Sequence, residues 1–269
     1  MFEIFQYEFM RNAFIAAILI GILCGIIGTF IVLRKIVFIA DGISHSAFGG
    51  VGIGYFLKIS PIISAIPFSI LSAIIIFILS KKTKIEENSA IGIMMVFGIT
   101  VGILFMYLTP GYTTDLTVYL FGSIVLIPTN DLILMLALDL IIIFFTFLFY
   151  REIVFVSFDE EFSKIVGIKT DQINLLLLSL IALSVVVMMK AVGIILLIAL
   201  LIIPSIISKN FAKNVKSIIF LSIFLGIIFS IIGLFISYEF NLPSGAVIVL
   251  VAIIGLIIGE ILRKILMKT

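Results

Sequence analysis

Apolar residues in this chain come in blocks of about twenty, the length of helix that crosses the hydrocarbon core of a bilayer. The blocks run over 12–33, 37–57, 60–80, 89–108, 131–150, 172–189, 191–208, 217–237 and 245–262. They predict an all-α fold, a polytopic integral membrane bundle of about nine transmembrane helices, within a range of eight to ten. The segment 115–127 is apolar but short and lies between Pro110-Gly111 and Pro128, so it reads as an interfacial or re-entrant helix. The first block is no cleavable signal, because its apolar run is too long, it lacks a basic start and further spans follow it. No compositional linker breaks the pattern, so residues 1–269 read as a single transmembrane domain.

Composition agrees with the pattern. Of 269 residues, 63% are hydrophobic and 12% charged, against roughly 45–50% and about 25% in soluble domains. That leaves too little polar surface to cover a water-soluble globule, so lipid is the main solvent. The single Cys excludes an intramolecular disulfide framework and a Cys-rich metal cluster. A net charge of +2 without a concentrated basic face excludes a nucleic-acid binder.

The basic residues are nonetheless unevenly placed. Alternate connections hold Arg34, Lys35, Lys81, Lys82, Lys84, Arg151, Lys164, Lys169, Lys209, Lys213, Lys216, Arg263, Lys264 and Lys268, while the others hold Arg11, Lys58 and Lys190. Short loops rich in Lys and Arg stay in the cytoplasm. With nine spans this puts the N-terminus outside and the C-terminus in the cytoplasm.

The second span contains Asp41 and the only His of the protein, His45. At 1.5 Å per residue they stand about 9 Å and about 15 Å along the helix from Lys35, well inside the bilayer. Four residues apart, they share one helix face, which Gly49 and Gly52 extend. Ionisable groups at such depth are functional candidates. A carboxylate with an imidazole suits zinc, manganese or ferrous iron. Two ligands are too few for a closed site, so another helix or a second copy of the chain must complete it. A plain Asp–His hydrogen bond holding the bundle is the alternative. Gly42, Gly49, Gly50, Gly52 and Gly54 in this span, and Pro204 in the seventh, serve either close helix packing or the lining of a path. Asp139 lies mid-span without a visible partner, Asp115 and Asp131 read as solvated acids of the outer connection, and Glu260 pairs with Arg263 at i,i+3.

The connection 151–170 carries its own short helix. Ser157 with Glu160 has capping-box spacing, Lys164 suits the last turn and Gly167 supplies the stop, so a helix is expected over 158–166. Phe158 and Phe162 share one face, as in a docking element, or as in an interfacial helix dipping into lipid.

The segments Phe30-Ile31-Val32-Leu33-Arg34-Lys35, Asp41-Gly42-Ile43-Ser44-His45-Ser46-Ala47, Tyr119-Leu120-Phe121-Gly122-Ser123, Phe158-Asp159-Glu160-Glu161-Phe162 with Gly167, Leu200-Leu201-Ile202-Ile203-Pro204 and Leu242-Pro243-Ser244-Gly245-Ala246 occur in this order. In these the chain resembles the membrane permease subunit of the ATP-binding-cassette uptake transporters for zinc, manganese or iron, over nearly its whole length. The resemblance implies a homodimeric permease in the prokaryotic inner membrane that receives a divalent metal from an extracytoplasmic binding protein. A separate cytoplasmic ATPase drives it. It implies metal coordination by Asp41 and His45, and coupling to the ATPase through Phe158, Asp159, Glu160, Glu161, Phe162 and Gly167. No permanent cofactor is implied: the metal is substrate, and the partner uses the ATP. The chain departs from the family at Gly49-Gly50, where Pro-Gly is usual.

The chain has no G-x-x-x-x-G-K-[ST] phosphate loop, so it is not expected to be the enzyme that hydrolyses ATP. Rival readings are a permease for metal chelates of siderophore or cobalamin type and an ion-coupled secondary carrier. An intramembrane metalloenzyme is disfavoured by the absence of H-E-x-x-H and of a second His. A membrane scaffold would not need Asp41 and His45 for metal uptake.

Overall fold

Each apolar block forms a helix, with ends set by local chemistry. The structure is a computed structural model that describes residues 6–110, 122 and 124–266, apart from the side chain of Lys190. The long helices are α1 (Glu8–Arg34), α2 (Phe38–Leu57), α3 (Pro61–Lys82), α4 (Glu87–Leu108) and α5 (Thr129–Leu148). Two short helices follow, α6 (Tyr150–Phe158) and α7 (Glu160–Ile165). Then come α8 (Thr170–Met189), α9 (Ala191–Phe211), α10 (Val215–Phe240) and α11 (Ser244–Leu266). The backbone breaks within the first turn of α9, at Gly193, whose φ of 76° and ψ of 166° no helix can hold. Lys35, Lys58 and Asn241 take left-handed conformations as the C-caps of α1, α2 and α10, and Pro61 opens α3 at a position where a missing N–H costs nothing.

Eight of these helices are long and apolar enough to cross a membrane. α2 has the length but, with its Gly, Ser, Asp and His residues, is the least apolar in character. Residues 115–121 and 123 of the expected re-entrant segment, with Asp115, lie outside the described residues. Of the remainder, Gly122 has φ +52° and Ile124–Leu126 form a 3-10 turn.

The helices group into two compact units. The first contains α1, the 3-10 turn, α5 as far as Ile143, and α9 to α11. In it α1 is buried along most of its length and packs on α10 through Gly21 and Gly25, which meet Ile227 and Ile223. Gly28 meets the backbone of Leu201 in α9. Ile207, Phe229 and Ala252 form a core between α9, α10 and α11. α11 exposes Leu250, Ile254, Ile257, Ile258, Ile261 and Leu262, an apolar surface suited to lipid.

The second unit contains α2 to α4, the end of α5 from Phe144, and α6 to α8. α2 packs on α3 and α4, and its glycines are spent on that contact. Gly42 faces Ile91, Gly49 the ring of Phe68, Gly50 the backbone of Ala65, and Gly52 the backbone of Gly102. From the other side, Gly98 lies on the backbone of Ser46 and Gly102 on that of Phe48. The packing reading of these glycines therefore holds. Lipid tails are as apolar as Leu, so helices in a bilayer gain from close backbone approach, not from burial out of water.

A side chain at Gly98 has nowhere to go, whereas Gly92 in the same helix has nothing within 4 Å of a added Cβ. Gly98→Val is expected to destabilise the detergent-solubilised protein by ~2–4 kcal/mol. Gly92→Ala is expected to be neutral or to stabilise by up to about 1 kcal/mol. Thermal unfolding of the two purified variants checks the pair.

Candidate functional site

α2 starts just after the left-handed cap at Lys35, which places Asp41 in its first turn and His45 one turn further. Nδ1 of His45 lies 3.2 Å from Oδ1 of Asp41 and 3.1 Å from the Asp41 carbonyl oxygen. Both neighbours only accept hydrogen bonds, so Nδ1 carries the proton and donates it to Asp41. The Nε2 lone pair of His45 and the second oxygen of Asp41 remain for a cation. The His45 ring meets Phe48 edge to face, with centroids 5.8 Å apart, which limits its rotation.

From Ile39 to Gly52 every other residue of α2 is buried, yet the side chains of Asp41 and His45 keep 37% and 19% exposure in the single chain. Gly49 and Gly52, expected to extend their face, turn instead to α3 and α4. The hydrogen bond and the ligand reading are thus compatible, since an imidazole held through one nitrogen is oriented to offer the other. Among the described residues no three His, Cys, Asp or Glu side chains gather into a metal-holding group, so one chain leaves the ligand set incomplete.

The short helix of the 151–170 connection differs from the expected one in its start. Phe158 is the last residue of α6, and the hydroxyl of Ser157 donates to the Ile153 carbonyl at 2.6 Å, inside that helix. The N-cap is Asp159: its extended backbone breaks the chain direction, and its Oδ1 accepts the Phe162 N–H at 2.9 Å. Glu160 does not close a capping box, because its Oε1 is taken by Lys81 of α3 at 2.6 Å and by Lys164 at 3.1 Å. Gly167 stops the helix as expected, with φ +92° and its N–H donated to Lys164.

α7 has two distinct faces. Ser163 is buried and donates to the Asp159 carbonyl at 2.6 Å, while Phe162 and Ile165 are exposed, Ile165 by 82%, as are Phe158 before the helix and its C-cap Val166. Glu161, Asp159 and Gly167 are exposed beside them. Burial pushes the Glu160 carboxyl up, but Lys81 and Lys164 outweigh it and hold it down at about 2. Glu160 in turn raises the Lys164 ammonium. A partly exposed ion pair of this kind is worth about 1 kcal/mol at most, too little to hold the bundle. Its importance is positional, since it ties α7 to the end of α3.

Sequence reasoning found Glu160 but not Lys81. The Lys81-Lys82-Lys84 cluster was informative only for topology, although an acid in a short helix beside a basic cluster on the same side of the bundle is the signal of such a bridge. Glu260 pairs with Arg263 at 3.5 Å as expected and also accepts from Asn210 of α9 at 2.6 Å. Asp139 lies on the buried face of α5 with Leu132, Met135 and Ile142, and neither of its carboxyl oxygens has a hydrogen-bond partner.

Because the Glu160 carboxyl is lowered, its contribution is complete above the unfolded value near 4.5 and is lost as pH falls through about 2. Amide hydrogen exchange of α7 is expected to accelerate across that window, and the part due to Glu160 to vanish in Glu160→Gln. Equal pH responses in the two proteins would show that the bridge does not restrain α7.

Comparison with known proteins gives this geometry a context. The model of the ABC 3 transport family matches residues 6–263. An uncharacterised membrane protein of Synechocystis is 40% identical over 94% of this chain and 90% of its own length. The manganese transport system membrane protein MntC of Halalkalibacterium halodurans is 34% identical over 93% of this chain and 86% of its own. Among solved structures, PsaBC from Streptococcus pneumoniae in complex with Fab superposes with a TM-score of 0.84 at 35% identity, over 94% of this chain and 91% of that one. The match spans both units and every helix from α1 to α11, and the chain is a multi-pass membrane permease of the ABC 3 transport family.

Proposed function

We propose that this chain is the membrane permease subunit of an ATP-binding-cassette importer that carries a divalent transition metal ion into the cytoplasm. The observation that carries the reading is the Asp41–His45 pair: two side chains of metal-ligand type, oriented by their own hydrogen bond and still partly open, within a stretch of α2 that is otherwise buried from Ile39 to Gly52. Manganese is the first candidate, because the relatives MntC of Halalkalibacterium halodurans and ScaB of Streptococcus gordonii carry it in their names. Zinc and ferrous iron suit the same ligand types.

In this reading two copies of the chain meet so that each supplies an Asp and a His, which completes the set that one copy leaves short. An extracytoplasmic binding protein delivers the ion. The N-terminus lies outside and the C-terminus in the cytoplasm, in line with the distribution of Lys and Arg. α7 then lies on the cytoplasmic side, where its exposed Phe162 and Ile165, with Phe158 at the end of α6, seat on an ATPase supplied by another chain. Asp41 and His45 bind the ion by replacing part of its water shell. Ligands and protonation oppose each other at His45, since only a neutral imidazole offers Nε2.

Reconstituted with its ATPase, the wild-type permease is expected to take up manganese against a gradient only when ATP is supplied. Asp41→Ala and His45→Ala are expected to lower that uptake by about tenfold or more, the range expected for loss of a metal ligand or its orienting partner, while still assembling with the ATPase. Uptake at the wild-type level in both variants would refute the assignment of the site.

A further inference from the structure

We propose that the Lys81–Glu160 bridge is the strut that carries movement of α7 to the helix bearing Asp41 and His45, which makes both of them positioning residues for transport. The inference rests on the reading of α7 as the element that meets the ATPase. It begins from the two faces of that helix. The outward face is apolar and exposed, whereas the inward face presents Glu160, whose side chain is only 24% exposed, and the buried Ser163. Glu160 receives two ammonium groups, and they differ in what they join. Lys164 belongs to α7 itself, one turn on, and ties it to nothing else. Lys81 belongs to the last turn of α3.

From Lys81, α3 runs back about four turns to Phe68 and Ala65. These meet Gly49 and Gly50, one turn beyond His45 in α2. At Gly50 the contact is with backbone, so no side chain is present to flex and absorb a displacement. α3 is therefore held at one end by a charge-assisted hydrogen bond to α7 and along its middle by rigid contact with the metal-ligand helix. A push on α7 displaces α3, and α2 must follow. The covalent path from α7 leads to α8, where the Asn174 side chain also interacts with Glu160, so it is the Lys81 bridge that brings α3 into the response. Lys81 and Glu160 touch neither metal nor nucleotide, and they act through the placement of α2.

The test uses wild-type permease and the variants Lys81→Met, Glu160→Gln, Lys164→Met and Lys81→Arg, each reconstituted in liposomes with its ATPase and supplied with manganese ions. The quantity read is manganese transported per ATP hydrolysed. General damage lowers both rates, whereas a broken strut lowers their ratio. Lys81→Met and Glu160→Gln are expected to keep the ATPase bound and to lose about threefold to fivefold in the ratio, within what one partly exposed ion pair can supply. Lys81→Arg is expected to restore most of it, and Lys164→Met to stay within about twofold of wild type. An unchanged ratio in Lys81→Met, an equal loss in Lys164→Met, or dissociation of the ATPase from the Lys81→Met and Glu160→Gln complexes would each overturn the strut. If wild-type permease moves no metal at all, the functional reading fails rather than the strut alone.

Discussion

The approach of α2 to α3 and α4 through glycine is the contact on which the rest depends. A helix carrying Asp41 and His45 along with several Ser and Gly residues is a poor partner for acyl chains. Protein must take the place of lipid around it. Gly98 and Gly102 of α4 let the two backbones touch, and Gly50 does the same against α3. Dispersion gained over that close contact compensates for what α2 lacks in apolar surface. The same contact leaves Asp41 and His45 on the part of α2 that its neighbours do not cover.

This arrangement explains how a bundle with little soluble surface can hold a polar site. Asp41 fixes the ring of His45 through Nδ1, and the ring's other nitrogen stays uncommitted. If Asp41 and His45 are the ligands, the described residues of one chain leave the set incomplete, which would suit a carrier better than a structural metal centre: a site that must bind and then release benefits from ligands that can be drawn apart. A second chain bringing the same pair would make affinity depend on subunit approach. In the proposed assembly, α7 and its bridge to α3 would give the ATPase a mechanical hold on that approach.

Much of this was legible in the sequence because the bilayer allows few solutions. Every apolar block became a helix within a few residues, and Gly167 ended α7 in the conformation expected of it. The start of α7 was not legible. Ser157 and Asp159 are both good N-caps, and the choice fell to Asp159 because Glu160, the intended partner of Ser157, is drawn away by Lys81, far off in the chain. Local spacing cannot register a competitor that arrives through the fold. For the same reason the glycines of α2 showed that something comes close, but not that the neighbours are Ile91, Phe68, Ala65 and Gly102. Asp139, an acid without a partner, stood out in the sequence and remains unpartnered in the structure.

The central claim is that His45 binds the transported ion directly. Electron spin-echo spectroscopy of the assembled permease loaded with manganese reads this without relying on transport rates. The account expects nitrogen hyperfine coupling from a bound imidazole in the wild-type protein and its loss in His45→Ala. A wild-type signal from an ion surrounded by oxygen alone, with no nitrogen coupling at any loading, would contradict it.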